Sequence, residues 1–325
     1  MSYDDFQEYI TEHILEGWMP EEDVELMVHT VTKNNGYRLR CLSIRPGQKE
    51  EIPQMFPVIY LDSYYQQYRK GAPLDDLIMD IRESYTAGSM AGPDHQIMPE
   101  DYEQIRDQLV FRLVNYEKNR ETLESCPHVR IADLALTFRW IVDIEGARLA
   151  SALVTDEMFS WWGISREELL QVAASNTSRL FPPRLRLLSE MIGDCCDREM
   201  RDSEEGLAAE DYESDFFSPG NGRICEDGIS VLTNEVGING ASAMLYENVL
   251  KDYAGRLGSD IYILPSSIHE VILVPGYKVE DTAWLYRMVS EVNRNVVSSY
   301  DYLSDSVYLY DRDKDQIRLA QRGRV

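Results

Sequence analysis

Two short apolar runs rich in β-branched residues, separated by a polar segment, constrain the fold of the last third of this chain. They lie in Ile261–Pro275, with the sequence Ile-Tyr-Ile-Leu-Pro-Ser-Ser-Ile-His-Glu-Val-Ile-Leu-Val-Pro. Apolar β-branched runs are typical of buried strands, and Pro-Ser-Ser is typical of a turn. The segment predicts two strands joined by a tight turn, with His269 and Glu270 entering the second strand.

Hairpins are also predicted near both ends of the chain. Apolar and polar residues alternate over 24–33 and 37–45, and Asn34-Asn35-Gly36 between them tolerates positive φ. Strands over 306–310 and 316–319 form the closing hairpin. Around the first hairpin, helical periodicity predicts an amphipathic helix over 1–15, a helix beginning at Asp62 as its cap, and another over 73–85.

The middle of the chain alternates strands and helices irregularly. Strands are predicted over 109–114, 131–143, 148–154 and 229–233. Helices are predicted over 120–125, 155–163, 167–176, 241–257 and 279–296. Thr155 is a capping residue, Ser165 opens a capping box, and Val296 at the end of the last helix is expected to face the core. The pattern predicts an α+β fold with antiparallel or mixed sheets, packed helices and hairpins at both ends.

Composition suggests two regions and one insertion. Gly, Ser and Pro in Gly88–Pro99 indicate a linker, so we expect an N-terminal helix-hairpin-helix region over 1–93 and a C-terminal α+β domain over 99–325. Acidic residues dominate Asp194–Asp215, and a Ser-Pro-Gly-Asn-Gly sequence follows. We therefore expect an exposed acidic insertion over 194–222.

The charge of the chain disfavours several classes of partner. The 57 acidic residues against 32 basic ones give a net charge of −25, which repels nucleic acids and anionic membrane surfaces. No apolar segment is long enough to span a membrane, and the amphipathic pattern over 1–15 is unlike a signal peptide. Five scattered cysteines without a CxxC pair fit reduced thiols, so we expect a cytoplasmic protein.

The polar residues around the Ile261–Pro275 segment form the candidate pocket. It comprises Asn234, Glu235, Ser266, Ser267, His269 and Glu270. A histidine beside a carboxylate can activate a hydroxyl, so this set could belong to a hydrolase with His269 as base and Glu270 as orienter or acid. However, neighbouring residues of a strand face opposite sides, and no GxSxG sequence occurs. The simpler interpretation is a Pro-Ser-Ser turn with His269 hydrogen-bonded within the core.

Other motifs predict neither a metal site nor a cofactor site. The five histidines are dispersed without an HExxH sequence, and neither GxxxxGK[ST] nor GxGxxG occurs. Gly237-Ile-Asn-Gly240 precedes a predicted helix and could hold an anion on free amides, although a capping turn is the simpler interpretation. In so acidic a chain, Arg179 and Arg184 are interpreted as salt-bridge partners.

Several segments, in the same order, resemble the bacterial family known as domain of unknown function 5688. They are Phe56–Leu61 followed by Tyr64-Tyr65, Phe111–Asn119, Asn176-Thr177 with Leu180–Pro183, Leu232–Asn234 and Tyr262–Val271. A fainter similarity, from Ile131 onward, is to domain of unknown function 1444. The resemblance implies an intracellular bacterial α+β protein, and it implies no activity and no site residues.

These observations favour a cytoplasmic protein that acts by binding a protein partner or a small ligand, without chemistry of its own. The first alternative is the hydrolase built on Ser266, Ser267, His269 and Glu270. A second alternative is an electrostatic decoy that uses the acidic insertion against a basic partner. A catalytic histidine must reach a nucleophile or metal at an accessible cleft, whereas a binding protein needs only a concave or apolar surface.

Overall fold

A computed structural model describes residues 1–19, 24–46, 58–90, 101–145, 148–190, 228–265 and 267–323. Contacts between Cα atoms divide the chain into two compact units, Met1–Gln96 and Ile97–Val325. Each unit is described by itself. The expected acidic insertion over 194–222, and most of the expected linker, lie outside the described residues.

The N-terminal unit packs helices against a three-stranded antiparallel sheet. Its elements are α1 (Tyr3–His13), β1 (Val24–Thr32), β2 (Arg38–Pro46), β3 (Val58–Tyr60), α2 (Leu61–Arg69) and α3 (Leu74–Met90), with strand order β1-β2-β3. The predicted hairpin is confirmed, because Thr32 pairs with Arg38 and the turn residues Asn35 and Gly36 have positive φ. Amphipathic α1 is also confirmed, with Phe6 and Ile10 fully buried.

Asp62 does not cap α2 as predicted. The helix begins one residue earlier, at Leu61, and its N-cap is Tyr60. The Asp62 carboxylate instead accepts hydrogen bonds from the Tyr3 hydroxyl at 2.9 Å and the Arg40 amide at 3.3 Å. The carboxylate therefore links α2 to α1 and β2 rather than satisfying the first amides of its own helix.

The C-terminal unit contains two antiparallel sheets, which confirms the predicted α+β class. Its strands are β4 (Leu109–Asn115), β5 (His128–Ile131), β6 (Leu134–Glu145), β7 (Arg148–Leu153), β8 (Pro183–Leu187), β9 (Ser230–Asn234), β10 (Ile261–Leu264), β11 (Val271–Pro275), β12 (Tyr308–Asp311) and β13 (Gln316–Leu319). One sheet has the order β4-β6-β5, with β7 also paired to β6. The other has the order β13-β12-β10-β11-β9-β8.

Helices and the largest hydrophobic core complete this unit. The helices are α4 (Tyr102–Ile105), α5 (Arg120–Leu123), α6 (Asp156–Trp162), α7 (Arg166–Leu180), α8 (Val249–Leu257) and α9 (Thr282–Asn295). Thr155 and Ser165 cap α6 and α7 through their side-chain oxygens, as expected for these residue types. One buried cluster includes Phe111 and Phe138 from the smaller sheet with Ile263 and Leu273 from the larger sheet.

Three element boundaries differ from the predictions. The predicted strand over 131–143 is divided, because Ala132 adopts a left-handed conformation (φ 56°) and closes a hairpin between β5 and β6. The predicted helix over 241–257 is also divided, into a 3-10 turn over Gly240–Leu245 and α8, since Asn248 has φ 63°. At the end of α9, Val296 is 78% exposed and does not face the core as predicted.

The carboxylate of Asp133 connects the two sheets of this unit. It follows the left-handed residue Ala132 and accepts hydrogen bonds from Ser304 Oγ at 2.6 Å, Ser306 Oγ at 2.9 Å and the hydroxyl of Tyr308. Burial, the nearby charge of Asp133 and this hydrogen bond raise the pKa of Tyr308. Three hydroxyl donors on one carboxylate join the β5–β6 turn to the segment before β12.

Candidate functional site

The loop between β10 and β11 places His269 and Glu270 before the second strand, and not within it as predicted. Residues 265–270 connect the two strands, and β11 begins at Val271, so the connection is longer than a tight turn. The buried Ile268 explains this path. Its amide donates to Asp301 O at 2.8 Å, and its carbonyl accepts from the Ala241 amide at 3.2 Å. These bonds hold the loop outside the strand ladder.

Both ring nitrogens of His269 have partners. Nδ1 accepts a hydrogen bond from the Asn239 amide at 3.3 Å, and Nε2 lies 3.1 Å from Asp301 Oδ1. A backbone amide can only donate, so Nδ1 is unprotonated and the neutral ring carries its proton on Nε2. Asp301 is the carboxylate that the sequence reasoning missed, because 31 residues separate it from Glu270 in the chain.

The predicted serine partner does not reach the His269 ring. Ser267 Oγ accepts a hydrogen bond from the His269 amide at 3.0 Å, so this hydroxyl stabilises the loop backbone. Ser266 lies outside the described residues. Glu270 follows the histidine, but the ring is oriented by Asp301 and Asn239. The ring is therefore held as part of a hydrogen-bonded loop, with its side chain 33% exposed.

Asn234 and Glu235 have different environments at the end of β9. Asn234 is buried and closes the following loop, because Nδ2 donates to Ile238 O at 2.8 Å and Oδ1 accepts from the Gly237 amide at 2.7 Å. Glu235 is exposed, and its amide donates to Pro182 O. Of these two predicted residues, only Asn234 is directed inward by its contacts.

The Gly237–Gly240 turn packs tightly against the His269 loop. A Cβ atom on Gly240 would lie 2.2 Å from Thr233 Oγ1 and 2.4 Å from His269 O, so only glycine fits there without rearrangement. The Asn239 amide is used by His269 and the Ala241 amide by Ile268. These bonds occupy amides that an anion would need, and they favour the structural interpretation of the turn.

A small pocket lies beside this turn. Residues of β4, β6 and β7 line one side, and residues of α7, β9 and the turn after β9 line the other. Its volume is about 20 Å³, and one ordered water needs roughly 10–15 Å³ of such space, so the pocket as it stands has room for one or two waters. The lining residues are Val110, Phe111, Arg112, Arg139, Ile141, Leu149, Ser151, Thr177, Phe181, Asn234, Ile238, Asn239 and Tyr246. Of the predicted residues that the structure describes, Asn234 alone lines the pocket, and the Asn239 amide connects the pocket to His269.

Arg112 is one of the lining residues and carries a partly buried positive charge. It lies at the centre of β4 between the buried Val110 and Val114, and its Nε is buried without a hydrogen bond. Protein atoms enclose the guanidinium and lower the pKa of Arg112, although the residue as a whole keeps partial solvent access. Arginine remains charged in proteins, and the ionisable groups that act on the Arg112 charge are Tyr300 and Cys126, neither of them a carboxylate.

Two further polar groups face the same pocket. Arg139, on β6, donates from Nε to Ser151 Oγ at 2.8 Å and from Nη2 to Ser151 O at 2.7 Å. The buried hydroxyl of Tyr246 makes no hydrogen bond of ordinary geometry, although the Asn234 side chain lies close enough to act on it. Burial raises the pKa of Tyr246, and Asn234 offsets only part of this increase. The hydroxyl therefore stays protonated and can donate.

Sequence reasoning did not identify Arg112, Arg139 or Tyr246. A signal was present for the arginines, because each interrupts an apolar run, in Phe111-Arg112-Leu113 and Phe138-Arg139-Trp140. A charged residue inside a buried strand needs hydrogen-bond or ionic partners that offset the loss of its hydration. Among the described residues, Arg179 Nη2 donates to Asp107 O at 2.8 Å and Asn176 Oδ1 at 3.0 Å, and the expected salt bridge of Arg179 stays a prediction.

The described residues contain neither a cluster of metal ligands nor a membrane-spanning helix. No three His, Cys, Asp or Glu side chains in this part of the chain converge as metal ligands would. None of the described helices is long and apolar enough to cross a membrane.

Comparison with known proteins identifies a family and no characterised relative. No curated protein and no solved structure matches the chain. A family model described as a family of unknown function (DUF5688) matches residues 3–312. This match confirms the first resemblance found in the sequence, and it gives no support to the similarity with domain of unknown function 1444. Because the match spans nearly the whole chain, the protein belongs to the family of unknown function DUF5688.

Proposed function

We propose that this protein is a non-catalytic binding protein whose pocket, lined by Arg112, Arg139 and Tyr246, holds a small ligand. The observation that carries the proposal is that the pocket lining includes two residues with a buried polar atom that forms no hydrogen bond of ordinary geometry with the described residues, Arg112 at Nε and Tyr246 at its hydroxyl. Buried polar groups in folded proteins are nearly always hydrogen-bonded, and exceptions occur at sites where a ligand supplies the partner. A concave, mostly apolar pocket with a few convergent polar groups is typical of a ligand site.

The environment of His269 supports binding over hydrolysis. A general base needs a free ring nitrogen near the proton that it removes. Here Nδ1 accepts from the Asn239 amide and Nε2 is directed at Asp301, while the Ser267 hydroxyl bonds to backbone. His269 supports the ligand pocket instead, because its ring and carbonyl hold the turn that contains Asn239.

A pocket-filling substitution tests this proposal. Ile238 lines the pocket and is half-buried, so the larger ring of an Ile238→Phe variant can occupy the pocket with little strain. A library of neutral, cationic and anionic fragments would be screened by ligand-observed NMR against both proteins. We expect fragments that bind the wild type and not Ile238→Phe.

The matched control is Ile272→Phe, which enlarges a half-buried isoleucine on β11 that does not line the pocket. Binding should survive this change. The proposal fails if no fragment binds the wild type, or if every bound fragment is retained by Ile238→Phe.

We also propose that the protein works in the bacterial cytoplasm and binds neither nucleic acid nor membranes. The net charge of −25 supports this proposal, because so acidic a chain is repelled by nucleic acids and by anionic membrane surfaces. Cys41 and Cys126 are buried free thiols, which fits a reducing compartment. A partner protein is the alternative occupant, and it is less favoured because the unpartnered polar groups lie inside a small pocket.

A further inference from the structure

We propose that strand β1 of the N-terminal unit is a self-association surface, where two copies of the chain pair their β1 strands antiparallel across a two-fold axis. The three-stranded sheets of the two copies then form one continuous sheet, with the two β1 strands at its centre. Self-association is independent of the ligand pocket, because none of the pocket residues belongs to the N-terminal unit. The open edge of β1, its lack of protection and the pattern of its side chains support this pairing.

The outer edge of β1 presents backbone groups that no described strand pairs. Among the described strands, β1 pairs only with β2, over the nine residues Val24–Thr32. In an antiparallel ladder, alternate residues bond to the neighbouring strand. The Lys33 amide donates to Tyr37 O at 2.7 Å, and the Arg40 amide faces away from β1, towards Asp62. The odd-numbered residues of β1 therefore bond to β2, and the amides and carbonyls of its even-numbered residues are directed at the open edge.

Strand β1 lacks the features that normally protect an edge strand, which are proline, several charges, a bulge or short length. Its register with β2 is continuous over nine residues, and Glu25 is its single charged residue. The other edge strands of the three-stranded and six-stranded sheets differ: β3 has three residues, β8 begins with Pro183 and contains Arg184 and Arg186, and β13 contains Arg318. Of these four edges, β1 is therefore the one best suited to pair with another strand.

The side chains of β1 favour a second copy as the partner strand. Val24 and Leu26 are half-buried against the core of the N-terminal unit, whereas Thr30 and Thr32 are exposed. Antiparallel pairing centred on Val28 overlaps all nine residues, so the β-branched threonines of each copy lie opposite the apolar half of the other strand. Such cross-strand contacts stabilise sheets. One symmetric interface thus satisfies both open edges, as in other two-fold dimers.

The charges along β1 allow two copies to approach, although each copy carries −25. In the register centred on Val28, Glu25 lies opposite the partner's Val31, so no two like charges of β1 face each other. Backbone hydrogen bonds supply the contact, as in other cases of strand addition to a sheet edge. The remaining acidic surface repels the second copy at longer range. We therefore expect salt to strengthen the association, because it screens this repulsion.

Charge substitutions at Val28 test this pairing, because Val28 lies opposite its own copy in the proposed register. The dissociation constant of the full-length dimer would be measured by analytical ultracentrifugation. Val28 is 38% exposed, so Val28→Lys and Val28→Glu should fold as the wild type does, which circular dichroism would verify. Each variant alone should have a dissociation constant at least about tenfold higher, because two like charges meet, whereas an equimolar mixture of the two should form a heterodimer.

The matched control is Val58→Lys. Val58 is 37% exposed and lies on β3, the other edge strand of the same sheet. This substitution adds the same charge at the same exposure, but away from the proposed interface. The dissociation constant of Val58→Lys should therefore equal that of the wild type.

Dimerisation of the wild type, its loss in each single variant at Val28 and its recovery in their mixture would support self-association through β1. A wild type that stays monomeric at about 100 μM would overturn it. Association of Val28→Lys as tight as that of the wild type, or equal weakening by Val58→Lys, would also overturn it. So would a dissociation constant that rises when NaCl is raised from about 50 mM to about 500 mM, because ion pairs would then hold the interface.

Discussion

Replacing Arg112 by methionine should stabilise the ligand-free protein, because the native residue buries a charge without a partner. Methionine is similar in length, flexible and apolar, so it can fill the space between Val110 and Val114 without a cavity. A residue retained for binding at a cost in stability is a common feature of functional sites.

The size of the effect follows from the burial of the group. Arg112 Nε is fully shielded and unpaired, while the residue keeps partial solvent access, so the desolvation penalty is smaller than for a fully buried ion. Replacing buried ionic groups by apolar ones of similar volume has stabilised proteins by about 1–4 kcal/mol, and we expect about 1–3 kcal/mol here. For a unit of 150–250 residues, each kcal/mol raises Tm by about 2–4 °C, which gives roughly 2–12 °C.

The assay is thermal unfolding followed by circular dichroism at pH 7, with Arg318→Met as the control. Arg318 is exposed on β13, so its replacement should change Tm by less than about 2 °C. A fall in Tm of several degrees for Arg112→Met would refute the reasoning, because it would mean that the guanidinium has a stabilising partner.

Three further predictions concern stability. Asp133→Ala should lower the free energy of unfolding by about 3–5 kcal/mol in urea titrations, because three hydroxyl donors lose their acceptor. A decrease of less than about 1 kcal/mol in the free energy of unfolding would contradict this hydrogen-bond network. Gly240→Ala should lower the free energy of unfolding by at least about 2 kcal/mol, because its Cβ would overlap neighbouring atoms. The control Gly255→Ala has open space around it in α8 and should be neutral or slightly stabilising. Equal effects of the two substitutions would refute the packing argument. Burial raises the pKa of Cys126 from 9.0 to about 11 and that of Tyr302 from 10.0 to about 12, so the folded state retains protons that the unfolded state releases. The free energy of unfolding should therefore be constant below about pH 9 and decline as the pH rises towards 11–12. A flat profile between about pH 8 and about pH 11.5 would contradict this prediction.

Local sequence patterns were sufficient to predict several elements of the fold. The hairpin around Asn34–Gly36 was predicted because its turn residues tolerate positive φ, and the caps at Thr155 and Ser165 because their side chains can satisfy helix amides. The division between β5 and β6 was missed, because Ala132 is not a typical turn residue and the apolar pattern continues across it.

The candidate site was only partly predictable. The sequence indicated that the polar groups around His269 need hydrogen-bond partners. Asn234 of the candidate set lines the pocket and hydrogen-bonds to the loop that follows it. It did not indicate Asp301 as the partner of the histidine, because hydrogen bonds between distant segments depend on how the chain packs. The strand argument used for His269 and Glu270 failed because Ile268 holds the loop outside the ladder.

Periodicity and local chemistry in the chain were enough to specify the α+β class, the terminal hairpins and most helix starts, since each depends on residues within a few positions of one another. The pocket is different, because Arg112 and Arg139 lie on paired strands, Tyr246 follows a 3-10 turn and Asn234 ends a strand of the other sheet. Their convergence, and the absence of a described counterion beside Arg112, arise when the two sheets and their connecting turns pack together. Long-range packing therefore determines which buried polar groups are left without a hydrogen bond among the described residues.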